Sequence, residues 1–85
     1  VYFIGSEGRF VKIGYSSNLA KRYENLQCST PYRLNLLAHV PGGTRKLEKQ
    51  YHYRFSEHRV VGEWFNLHAD IKEEVERLRL GNAAN

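Results

Sequence analysis

Two short runs, Val1–Gly5 (VYFIG) and Phe10–Tyr15 (FVKIGY), flank the four residues Ser6–Arg9 (SEGR). Both runs are rich in β-branched and aromatic residues, and Gly8 between them can take the positive φ that a tight reversal needs. Little other than an antiparallel hairpin satisfies this pattern, and the rest of so short a chain must pack around it. Pairing Ile4 with Phe10 sets Tyr2 directly opposite Lys12 on one face, because strand side chains alternate with period two.

The next segments supply the remaining layers. Leu19, Tyr23 and Leu26 recur at helical spacing after Ser16, Ser17 or Asn18 as N-cap, and Arg22 borders their apolar stripe. A third strand, YRLNLLAHV, starts after Pro31 and stops at Pro41–Gly43. From Thr44 a second helix, RKLEKQYHYRFSEH, aligns Glu48, His52, Phe55 and Arg59 along one line. VVGEWFNL reads as a turn with a short extended piece, and a third amphipathic helix turns Ile71, Val75 and Leu78 inward. The expected fold is α/β of the α+β kind, with a three-stranded antiparallel sheet and about three helices. It forms one domain over residues 1–80, followed by a frayed tail at 81–85.

With 85 residues, 41% of them hydrophobic, the chain suits a single modest core, so any active site lies at its surface. There is no apolar run long enough to cross a bilayer, and a lone Cys28 forms no internal disulfide, so a reducing, cytoplasmic location is expected without membrane contact. A zinc set of Cys28, His39, His52 and His58 is rejected for its irregular spacing. The first residue is not methionine, so flanking specificity domains are expected outside this chain. Residues 1–60 hold ten Lys and Arg against four Asp and Glu, a bias that suits a phosphate-rich partner; residues 61–85 hold three against five.

Lys12 inside an apolar strand and Arg22 beside a buried stripe are costly placements without a partner or a task. Taken singly, each polar residue has an ordinary explanation: a snorkelling lysine, a helix-edge arginine, a Glu48 favouring its helix dipole, a half-buried His52, packed tyrosines. Together they converge toward one face, and the combination suits cutting a phosphodiester. That reaction needs a hard divalent ion held by oxygen ligands such as Glu48. It needs cationic donors for the phosphoryl oxygens and a base, either a phenol or an amine whose pKa is lowered.

At this point the chain resembles the GIY-YIG endonuclease superfamily. Tyr2 of VYF stands at the tyrosine of the first tripeptide, and KIG at Lys12–Gly14 stands at the second. Arg22 follows Gly14 by eight residues, and Glu48 lies on the next helix. A phage and bacterial branch with KIG in place of YIG is similar in LQCSTP, EKQYHYRF and RVVGEWF as well. The resemblance implies a one-metal endonuclease that hydrolyses DNA with Mg²⁺ or Mn²⁺. In it Tyr2 is the general base or positioning phenol, Arg22 the transition-state clamp and Glu48 the metal ligand. Lys12 replaces a tyrosine, so the base is Lys12, Tyr2 or neither. His52 is a candidate for shuttling a proton or holding the leaving oxygen, and Asn66 is the candidate for the family's late asparagine. Tyr15, Lys21, Arg45, Lys49 and Arg59 are the expected nucleic-acid contacts. GEWF reads as structure, with Trp64 and Phe65 closing the core and Glu63 pairing a base such as Arg59. The alternative is a nucleic-acid-binding module of the same fold with weak or no catalysis. A third reading, a protein-interaction domain, rests on the acidic last third.

Overall fold

The computed structural model of the chain describes residues 1–83. In chain order the elements are β1 (Tyr2–Ser6), β2 (Phe10–Gly14), α1 (Leu19–Cys28), β3 (Leu34–His39), α2 (Arg45–Arg54), a one-turn 3-10 helix (Ser56–His58), β4 (Arg59–Val61), β5 (Trp64–Asn66) and α3 (Ala69–Ala83). The strands form one antiparallel sheet in the order β3-β1-β2-β5-β4.

The expected three-stranded sheet is therefore corrected to five strands. The two additional strands come from RVVGEWFN and have three residues each, too few for an alternating pattern to show in sequence. What makes them strands is tertiary: Phe65, fully buried, lies opposite Val11, and Trp64 lies opposite Lys12. Gly62, at φ 55°, makes the reversal between them. Edge strand β4 is exposed along its length and kept short, a form that limits pairing with other chains.

The hairpin register also differs from expectation. Tyr2 faces Gly14, Ile4 faces Lys12 and Ser6 faces Phe10. Ser6 stays in the ladder, and Glu7 (φ 55°) and Gly8 (φ 68°) turn the chain, with the Arg9 N–H donating to the Ser6 carbonyl at 3.1 Å. Because the register moves by two residues, no side chain changes face. Tyr2 and Lys12 become diagonal neighbours, and the phenol faces a residue with no side chain.

Alternation assigns the two faces. Tyr2, Ile4 and Leu34 pack under Leu19, Tyr23 and Leu26 of α1 together with Trp64. Phe3, Val11, Ile13, Ala38 and Phe65 pack on the opposite face against Tyr51 and Phe55 of the α2 end and Ile71 and Val75 of α3. Each fully covered side chain of this kind contributes about 1.5–3 kcal/mol. Asn18 caps α1 by accepting from the Lys21 N–H, and Thr44 caps α2 by accepting from the Leu47 N–H.

Helix α2 ends at Arg54, so Arg59 leaves the line through Glu48 and His52 that a longer helix predicted. It belongs to β4, where its Nε donates to the Gly62 carbonyl at 2.7 Å and braces the turn. Helix α3 continues through Ala83, past the point where fraying was expected, and residues 84–85 lie outside the described part. Among the described residues no helix is long and apolar enough to cross a membrane.

Candidate active site

The end of the β1–β2 hairpin remote from its turn gathers the charged groups. Tyr2 is 1% exposed, yet its hydroxyl reaches the sheet end and accepts from Arg22 Nε of α1 at 3.4 Å. Gly14 makes this possible. A Cβ there would overlap the Tyr2 hydroxyl and stand 3.0 Å from Glu63 Oε2, so the phenol and the Glu63 carboxylate share the space above the glycine.

Burial pushes the Tyr2 phenol above its ordinary value, the Arg22 hydrogen bond and charge pull it down, and the charges of Glu63 and Glu48 push it up again; the net shift is upward. A phenol lowered by neighbouring positive charge was the expectation, and desolvation outweighs that charge. At neutral pH Tyr2 is thus a hydroxyl that accepts from Arg22 and keeps its own proton to donate. The same bond raises the Arg22 guanidinium further, so Arg22 is a permanent cation.

Lys12 answers the cost of its strand position through a partner the sequence did not reveal. Its ammonium lies 3.2 Å from Glu63 Oε2, with the Lys12 side chain 12% exposed, and sits 5.4 Å from the Trp64 ring centroid. Glu63 does not pair with Arg59. Its Oε2 atom is buried and makes no aligned hydrogen bond, because the ammonium approaches it without hydrogen-bond geometry.

Glu48, in the first turn of α2, reaches the same end from the opposite face of the sheet. It is 8% exposed, its charge is felt at Tyr2, and its carboxylate makes no hydrogen bond or ion pair among the described residues. Both carboxylate charges act on the Tyr2 phenol, Glu63 while paired with Lys12 and Glu48 while also acting on the Val1 ammonium. Glu48 is the kind of single oxygen donor that a hard divalent ion takes, with water completing its shell.

His52, one turn after Glu48, is tied to β2: its Nε2 lies 2.7 Å from the Ile13 carbonyl, and its ring packs 5.2 Å from that of Phe65. A carbonyl only accepts, so Nε2 carries a proton and donates it to Ile13. Tyr15, following β2, lies under Arg45 with the guanidinium carbon 5.1 Å from its ring centroid, forming a cationic aromatic rim. Lys21 on α1 and Lys49 on α2 are exposed, with no ion pair among the described residues.

Asn66 stands apart. It lies opposite Phe10, four residues along β2 from Gly14, a separation of about 13 Å. Arg59 is occupied at the β4–β5 turn. The residues that sequence reasoning missed are Glu63 and Gly14. The usable signal was the half-buried Lys12 itself, which demanded a carboxylate from a neighbouring segment.

The T5orf172 domain family model matches residues 1–79 of the chain. No curated protein and no solved structure matches it.

Proposed function

The chain belongs to the T5orf172 domain family, which is associated with endonuclease-like domains, and on that premise we propose that it is a divalent-metal-dependent endonuclease acting on DNA. The observation that carries this reading is the meeting of Tyr2, Arg22, Lys12, Glu63 and the buried Glu48 at one end of the sheet. Lys12 of KIG and Glu63 of GEWF form a single ion pair, which supports taking the two motifs as parts of one site.

In this reading Glu48 would hold Mg²⁺ or Mn²⁺, which would supply Lewis-acid stabilisation of phosphoryl charge. Arg22 clamps a phosphoryl oxygen, and its Nε bond to Tyr2 fixes the guanidinium plane. The Tyr2 hydroxyl donates toward the reacting phosphate. His52 holds β2 through the Ile13 carbonyl. Arg45 with Tyr15, and Lys21 and Lys49, guide the nucleic-acid backbone.

Plasmid nicking tests the proposal. Cleavage should require Mg²⁺ or Mn²⁺ and be lost in Glu48→Ala, and unchanged nicking in that variant contradicts it. A second reading, a nucleic-acid-binding module without cleavage, draws on the raised Tyr2 phenol and the engagement of Lys12 by Glu63, which together leave no evident base. It predicts salt-sensitive DNA binding, no product with either metal, and affinity insensitive to Glu48→Ala.

A further inference from the structure

Three potential ligands meet where the 3-10 helix and the N-terminus of α3 approach each other, and the nuclease reading uses none of them. His58 Nε2 lies 3.3 Å from Asp70 Oδ2, and His68 Nδ1 lies 3.7 Å from the same oxygen. The two imidazoles stack with centroids 4.1 Å apart and planes 12° from parallel. One ligand atom from each of the three residues lies within 4.8 Å of the others.

This spacing is close to that of a coordination shell. Nitrogen and oxygen ligands about 2.0–2.1 Å from a tetrahedral ion stand roughly 3.3 Å from one another. The polar atoms also lack a complete arrangement of their own. His68 Nδ1 accepts the Asp70 backbone N–H at 3.2 Å, which engages its one lone pair, and the Asp70 carboxylate stands 3.7 Å away as a neighbouring acceptor. A proton on His58 Nε2 satisfies one of these contacts and leaves the other as acceptor against acceptor. A cation between the three atoms removes that opposition, taking the place of the Asp70 N–H at His68 Nδ1 once the stacked rings turn so that their lone pairs converge.

We propose that His58, His68 and Asp70 form a binding site for a late first-row divalent ion of the Zn²⁺ type. Two imidazoles select such an ion over Mg²⁺ or Ca²⁺, which prefer all-oxygen shells like that at Glu48. The bound ion clasps the 3-10 helix to the start of α3, and so fixes both ends of the β4–β5 segment that delivers Glu63 to Lys12. The site is independent of whether the protein cleaves DNA. It is also distinct from the Cys28, His39, His52 and His58 set rejected on spacing.

The test is calorimetric titration of the tag-free chain with ZnCl₂, alongside melting temperature with and without Zn²⁺. One Zn²⁺ per chain and a raised melting temperature are expected, with Mg²⁺ producing neither at this site. His58 is largely covered, with a side chain 15% exposed, so replacing it disturbs packing; the exposed ligands, His68 at 52% and Asp70 at 60%, carry the test. His68→Gln and Asp70→Asn should each weaken Zn²⁺ binding at least about 10-fold while leaving the metal-free melting temperature near wild type. Glu48→Ala should bind Zn²⁺ as wild type does. Absence of Zn²⁺ binding, undiminished binding in the His68→Gln/Asp70→Asn double variant, or its loss in Glu48→Ala overturns the proposal.

Discussion

The Lys12 ammonium lies 3.2 Å from Glu63 Oε2, joining the second strand of the first hairpin to the turn before β5. The pair closes the seam between β2 and the short strands, and each member compensates a charge that the other would leave poorly solvated. A double-mutant cycle should expose this dependence. Lys12→Met and Glu63→Gln should each cost stability, and the double variant should recover part of the sum, with a coupling of about 1 kcal/mol in urea unfolding. Additive losses would show that the two groups do not interact.

Gly14 supplies room rather than flexibility. A methyl group at this position meets the Tyr2 hydroxyl and Glu63 Oε2, and the buried phenol has little space in which to retreat. Gly14→Ala should destabilise the fold by about 1–3 kcal/mol, as overpacking does, and abolish any nicking activity. A melting temperature equal to wild type, with activity intact, contradicts the close approach.

Much of this was legible in local pattern, and the part that was not has a common cause. The first hairpin, the Thr44 cap, the short list of caps for α1 and the inward face of α3 follow from alternation, capping chemistry and helical spacing, which act over a few neighbouring residues. Strands β4 and β5 were hidden because three residues carry no period, and their pairing depends on Phe65 finding Val11 across more than fifty positions. Glu63 was assigned to Arg59 for the same reason: sequence proximity favoured that pairing, whereas the sheet delivers Glu63 to Lys12. Lys12 and Arg22 could be nominated because each is out of place on its own element, whereas Tyr2 and Glu48, ordinary where they stand, were nominated by convergence toward one face and by the resemblance. Helical spacing alone gives no sign of the burial of Glu74, which is 2% exposed.

Glu74 provides a pH test. Two Arg77 bonds of 2.8 and 2.6 Å, the Tyr51 hydroxyl at 2.6 Å and Arg54 at 3.3 Å surround its carboxylate. The Arg77 hydrogen bonds, followed by that from Tyr51 and the nearby charges, outweigh burial and hold it at about 2, against an ordinary 4.5. The unfolded chain therefore takes up the proton first as pH falls. The stabilisation is complete above about 4.5 and disappears as pH drops through about 2. Glu74→Gln should cost about 2 kcal/mol at pH 7, and its deficit relative to wild type should shrink between pH 4.5 and 2 in urea titrations. A deficit independent of pH refutes the assignment.

The cationic rim predicts how DNA binding responds to salt. Arg45 lies over Tyr15 next to β2, Lys21 and Lys49 are exposed on α1 and α2 with no ion pair among the described residues, and Asn66 lies at the far end of β2. Replacing Lys21, Arg45 or Lys49 by Ala should each lower the slope of log affinity against log salt by about 1. Asn66→Ala should leave it unchanged. Fluorescence anisotropy with a short duplex at several salt concentrations measures both, and equal slopes for all four variants would remove these residues from the interface.

The Tyr2 phenol decides between two kinds of chemistry. Its folded pKa lies above the ordinary phenol value of 10.0, with burial the largest cause and Arg22 the main opposing influence. A phenolate base would therefore be scarce at neutral pH, and a rate depending on it would rise about tenfold per pH unit through pH 9. A Tyr2 that donates a hydrogen bond while neutral gives a rate independent of its ionisation over the same range. We expect the second behaviour: flat metal-dependent nicking from pH 7 to about 9, and a Tyr2→Phe loss on the order of 10²-fold or more, as for removal of a charge-stabilising donor. A steadily rising profile that vanishes in Tyr2→Phe identifies the phenolate as the base. It would also mean that the bound metal overcomes the desolvation that now keeps the proton on oxygen.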